Sequence, residues 1–227
     1  MRDSRYATQS RVSPWASSGM SQEVFDTRVL PLFGLGLILT AASAYLGAGL
    51  PRGISLLALL GEFILVLTSG RWAENENRGL NVILFGLVTV LAGVGMVPLL
   101  QWASFTGGVA LIAQAFAVTG ITFGGLMAYS MTTKRNFEGM GGFLVAMGIG
   151  LMISFVISMF FGNTLTFMLL SMVSVVFFAG FVLYDMSVIR NRFSDQMYVM
   201  AAIMLFIDFL GLFKNILYLM GIMGSDD

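Results

Sequence analysis

Cysteine and histidine are both absent from the 227 residues. The first absence excludes disulfides, iron–sulfur clusters and thiol chemistry. The second leaves no imidazole, so any proton sensing near neutral pH falls to carboxylates or lysine. Charge is scarce as well: Asp, Glu, Lys and Arg make up 11% of the chain, against roughly 25% in a soluble domain. The 12 basic and 12 acidic residues cancel, and no nucleic-acid partner is expected. No nucleophile–base pair, zinc-ligand cluster or nucleotide fingerprint appears. The glycines after Lys134 and Arg135 are followed by no Lys-Ser or Lys-Thr and preceded by no strand, so they form no phosphate loop. Neither an enzymatic activity nor a cofactor is expected.

What the chain has in abundance is apolar sequence, with 57% hydrophobic residues and a mean hydropathy of +0.88. Seven apolar runs follow one another: Val29 to Gly49, Ile54 to Gly70, Leu80 to Leu100, Gly108 to Met131, Gly142 to Phe161, Thr164 to Ile189 and Met197 to Ile222. A bilayer core of about 30 Å needs about 20 helical residues. Six runs reach that length; the second is short and carries Glu62. The runs are apolar on every face, whereas barrel strands alternate. An all-α integral membrane protein with a seven-transmembrane-helix bundle is predicted.

Basic residues orient the bundle. Arg2, Arg5, Arg11 and Arg28 precede the first helix; Arg71 and Arg78 join the second to the third; Lys134 and Arg135 join the fourth to the fifth; Arg190 and Arg192 join the sixth to the seventh. With seven spans all ten fall on one side and only Arg52 on the other, which places the N-terminus in the cytoplasm and the C-terminus outside. Residues 1–24, rich in Ser, Arg and Gln, read as a disordered cytoplasmic tail, and residues 25–227 as one multi-pass membrane domain, which in a bacterium would sit in the plasma (inner) membrane.

Ionisable groups at membrane depth cost roughly 2.5–3.5 kcal/mol each on insertion scales and are functional candidates by default. Four qualify: Glu62, Asp185, Asp208 and Lys214. At 1.5 Å per residue, Asp185 lies roughly 7 Å and Asp208 roughly 16 Å inside the cytoplasmic face. The two sit on helices joined by a short hairpin, and tilt or a longer sixth helix would bring them level. Two carboxylates meeting in a low-dielectric site share a proton. They also form a hard-oxygen site suited to Ca²⁺. Asp208, Leu212 and Asn215 fall on one helical face. Glu62 and Lys214 lie at matching depths, so a buried ion pair is the structural reading for both. Asp195 reads as the N-terminal cap of the seventh helix. Glycines around positions 120–125 and 139–150, and Gln114 with the Ser and Thr of helices four to six, read as helix-contact residues.

These residues resemble the Bax-inhibitor family, including its bacterial members. The resemblance rests on Phe25 to Leu30 with Leu37 to Ala41, on Thr133 to Phe137 with Gly141 to Leu144, and most specifically on Leu183-Tyr184-Asp185 and on Phe206 to Leu210 with Leu212-Phe213. It implies a seven-helix bundle with helix seven near its centre, a pH-sensitive calcium leak, and an acid pair as sensor, which by position is Asp185 and Asp208. Glu62 is similar to an acid that the family carries in helix two. An arginine latch from helix two is implied too; Arg71 is the nearest candidate and Arg78 follows, neither clearly in register.

The expected function is therefore a pH-sensitive calcium leak channel gated by a membrane-embedded aspartate pair, with Ca²⁺, protons and the bilayer as partners. The competing reading is a non-transporting regulator that binds a membrane protease or another membrane protein. A retinal protein is excluded, because Asp208 and Lys214 are six residues apart instead of four. A secondary transporter would show inverted repeats, which are missing.

Overall fold

The computed structural model describes residues 19–73 and 77–224, and every regular element among them is helical. The chain enters α1 (Leu30–Leu46) through two turns, Gln22–Val24 and Phe25–Val29. α2 (Arg52–Leu67) is carried on by the turn Ser69–Trp72. The stretch Arg78–Thr132 breaks at Gly108, with φ 69° and ψ −170°, a conformation that strains any residue with a Cβ. It thus divides into α3 (residues 78–107) and α4 (residues 109–132). α5 (Gly141–Phe161), α6 (Thr164–Arg192) and α7 (Tyr198–Met223) follow.

Among the described residues, five helical stretches are long and apolar enough to cross a membrane. The one broken at Gly108 has 55 residues, or about 80 Å at 1.5 Å each, more than twice a bilayer core of about 30 Å. α2, with 16 residues, is the short span that the sequence marked. The connection expected over Gln101 to Gly107 is helical instead, and Gly108 alone turns the chain. Gln101 Nε2 then donates to Ala48 O at 2.9 Å, joining two outer connections.

The basic segments gather at one end, as seven passes require. Arg190 Nη1 donates to Ser130 O at 2.9 Å and Thr133 O at 3.3 Å, closing the C-terminus of α4, where a cation complements the helix dipole. Glu138 takes an ion pair from Arg192 and a 2.8 Å hydrogen bond from Asn191. Arg28 lies 5.6 Å over the ring of Tyr198.

Most of the expected tail, residues 1–18, lies outside the described residues. Residues 19–24, expected to belong to it, are built onto this same end: Met20 is buried, and Ser21 N donates to Asp195 Oδ1 at 2.8 Å. That bond corrects the reading of Asp195 as a helix cap. Its carboxylate holds the N-terminal segment, and α7 starts at Tyr198 with no side-chain cap.

α7 is the centre of the bundle. In its most apolar window 67% of residues are buried inside the protein, against 11% for α5 and for α6. Phe209 packs edge-on against Phe33 of α1 and against Phe116 and Phe123 of α4, and Phe206 against Phe85 of α3. α5 packs on α6 and turns the rest of its surface outward.

Close approach does depend on glycine, at Gly141 and Gly148 as expected, where a Cβ would stand 2.8 Å from the Tyr184 ring and 3.0 Å from that of Phe177, and at Gly93 besides. A Cβ on Gly93 would stand 2.0 Å from Ser43 Oγ and 2.3 Å from Thr40 O, so α1 and α3 touch backbone to backbone there. Thr40 Oγ1 spans the same contact by donating to Thr89 O at 3.0 Å. Gly120, Gly124 and Gly125 face open space instead. Gln114 is exposed, and Thr119 and Ser158 donate to carbonyls of their own helices, which is how hydroxyls satisfy themselves where no neighbour is in reach.

Candidate ion site between α6 and α7

α6 runs to Arg192, three residues beyond the apolar run that predicted it. The extension puts Asp185 seven residues from the inner end of its helix, about 10 Å, while Asp208 is ten residues into α7, about 15 Å. The depth gap closes to about one helical turn. The two carboxyl groups come within hydrogen-bonding range of one another. Asp185 is 4% and Asp208 2% exposed, and Asp208 Oδ2 has no hydrogen-bond partner among the described residues.

The pair faces a cavity of about 400 Å³ between α2, α6 and α7. Its other walls are nearly all apolar or aromatic, with Phe178, Phe181 and Tyr184 from α6 and Ile203, Met204 and Ile207 from α7; Val66 and Ser69 close the α2 side. Two carboxylates buried together this way cannot both carry full charge cheaply, and one proton held between them is the low-energy arrangement. Four carboxylate oxygens by themselves fall short of the 6–8 oxygen ligands that Ca²⁺ takes in a resident site, and the hydroxyls of Ser69 and Tyr184 on the wall bring the count only to the lower end of that range. Among the described residues no group of three or more acidic side chains stands ready to hold a metal. Such a donor set suits a cation that keeps part of its water and passes on.

The other expected residues are distributed around this site. Glu62 of α2 and Lys214 of α7 are half-buried and attract one another without forming a contact ion pair. Lys214 lines a second cavity, of about 460 Å³, with Asn215, Tyr218, Ser171 and Ser174. Asn215 shares the α7 stripe as expected, yet its Nδ2 donates to Gly211 O at 2.8 Å and not to Asp208. Arg71 is exposed and forms no ion pair with either aspartate, so the latch is not made in this structure.

Sequence reasoning missed Phe178 and Gly211, which meet between the two cavities: a Cβ on Gly211 would lie 2.3 Å from the Phe178 ring. The available signal was a glycine one turn from a membrane-depth acid, flanked on both sides by large residues of the same helix. It also missed Glu138, whose partners arrive from α6 across a long sequence separation.

Comparison with known proteins agrees with this architecture. The family model described as inhibitor of apoptosis-promoting Bax1 matches residues 22–225. A membrane protein of Vibrio cholerae is 34% identical over 192 residues, covering 82% of this chain and 83% of that protein. The Escherichia coli inner membrane protein YbhL is 24% identical over 88% of this chain and 92% of its own length. Mouse protein lifeguard 4 is 36% identical over 47% of this chain and 45% of its own.

Proposed function

This chain belongs to the Bax-inhibitor family, and from that premise we propose that it is a pH-sensitive calcium leak whose gate is the Asp185 and Asp208 pair. The observation that carries the reading is the meeting of two buried carboxylates, from adjacent helices, in an otherwise apolar cavity. Holding one proton, the pair carries a single negative charge. Losing it doubles the charge facing the cavity and favours a divalent cation there; gaining a second removes the charge and releases the cation. Because the carboxyls stand on different helices, each change also alters the force between α6 and α7, and so biases their packing between two arrangements. The role is non-enzymatic and needs no resident cofactor. Its membrane, in this reading, is the inner membrane, as the name of the Escherichia coli relative states for that protein.

Purified protein in dye-loaded liposomes tests this directly. Ca²⁺ entry above that of empty liposomes, changing in size between about pH 5 and about pH 8, is the expected result. No entry at any pH sinks the leak. The regulator reading then takes its place, favoured by α5, which packs on α6 and leaves an apolar face for another membrane protein.

A further inference from the structure

The cavity of the acid pair and the cavity of Lys214 open on one seam. On α7 the wall residues Met200, Met204, Ile207, Lys214 and Tyr218 recur at three- and four-residue steps or their sum, and on α6 Ser171, Ser174, Phe178, Phe181 and Asp185 do the same. Each set is a single helical stripe. A third cavity, of about 450 Å³, shares Tyr218 and carries the seam on to Thr106 and Thr164 at the outer ends of the helices. The level of Gly211 lies between the acid-bearing cavity and the Lys214 cavity, which share no wall residue. The Phe178 ring is seated directly on the α7 backbone there, three of its atoms standing 2.3–2.4 Å from where a Cβ would be. Phe177 braces it edge-on at 5.1 Å.

We infer that Phe178, seated on Gly211, is the partition between an outer, lysine-bearing vestibule and the inner, acid-bearing chamber, and that ions pass the seam only when this ring leaves its seat. Polar groups flank it on both sides. Asn215 bonds the Gly211 carbonyl from the outer side, and Asp208 lies one turn inward. The apolar stretch of α7 between Asp208 and Lys214 is residues 209–213, and the two charged levels stand about 9 Å apart at 1.5 Å per residue. An aromatic constriction between wetter chambers stops ions by excluding their water. Glycine at 211 makes the seat, since a Cβ there would displace the ring from it. The role of the ring in ion passage rests on the leak reading, whereas its role as a partition does not.

The chain has no cysteine, so a single introduced thiol reports on its own position. Ser174→Cys in the outer vestibule and Met204→Cys in the inner chamber are labelled with a cationic, membrane-impermeant methanethiosulfonate in oriented vesicles. With Phe178 present, Ser174→Cys reacts from the outer face and Met204→Cys only from the inner face. In the Phe178→Ala background, outer-face labelling of Met204→Cys rises at least about tenfold, the change expected when a gate shut more than nine-tenths of the time is removed. Unchanged Ser174→Cys rates show that the fold is intact. Phe178→Val, which keeps the helix and part of the packing, gives the same change at smaller amplitude if the alanine variant fails to fold. Labelling of Met204→Cys from outside while Phe178 is in place overturns the inference. So does continued protection after Phe178 is cut back. Should the chamber open without Ca²⁺ flux in any variant, the partition stands and the leak reading falls.

Discussion

Replacing one carboxyl of the pair by its amide isolates the electrostatics from the packing, because Asp208→Asn and Asp185→Asn keep shape and hydrogen-bonding capacity. Two unit charges about 4 Å apart in an effective dielectric of about 20 repel by about 4 kcal/mol. At about 1.36 kcal/mol per pH unit, that repulsion separates the two ionisations of the pair by about 3 units. Either amide variant removes the repulsion entirely, and the remaining carboxyl ionises as a lone buried group. The wild-type pH profile of Ca²⁺ flux should therefore lose its transition, or move it by about 3 units, in both variants. The carboxylic-acid infrared band of wild type, followed through the same titration, should change in two separated steps and in each variant in one. Both amide variants keeping the wild-type flux profile and two infrared steps would refute the coupled pair. One variant alone losing the transition would assign sensing to a single acid.

Other residues make predictions of their own. Gly93→Leu drives side-chain atoms into Thr40 O and Ser43 Oγ, within 2.3 Å of its Cβ; with overpacking at about 1–3 kcal/mol or more, monomer recovered by fluorescence-detected size exclusion should drop sharply. Phe206→Ala empties a fully buried site beside Phe85. In lipid the cavity cost remains without the water-transfer term, so a loss of about 2–4 kcal/mol is expected in detergent unfolding. Arg190→Met strips the carbonyls of Ser130 and Thr133 of a charged donor, worth about 1.5–3 kcal/mol, and should lower the melting temperature measured in detergent. Asp195→Ala frees Ser21 N; hydrogen exchange of residues 19–24 should quicken while that of α7 stays as it was.

Hydropathy and loop charge make the seven passes legible because lipid forces each span to be uniformly apolar and the basic residues to one side. Asp185 and Asp208 are legible for the same reason, as acids at that depth need a purpose. Gly108 is not, since a one-residue turn leaves no polar loop to see. The seat of Phe178 on Gly211 and the role of Asp195 depend on which helices become neighbours, and uniformly apolar helices carry no periodicity to say so. The same blindness hides Glu138, whose partners come from fifty-odd positions away.

The single-residue turn at Gly108 bears on how other molecules meet this protein. On the outer side the chain between helices amounts to residues 47–51, Gly108 and residues 162–163, too little surface for an antibody, a protease or a soluble ligand to grip. The inner side carries the longer connections and nearly all the fixed charge. Recognition by water-soluble molecules therefore belongs to the end of the bundle that carries the basic connections, and an epitope or reporter inserted between helices should be tolerated in the connections there, and not at Gly108.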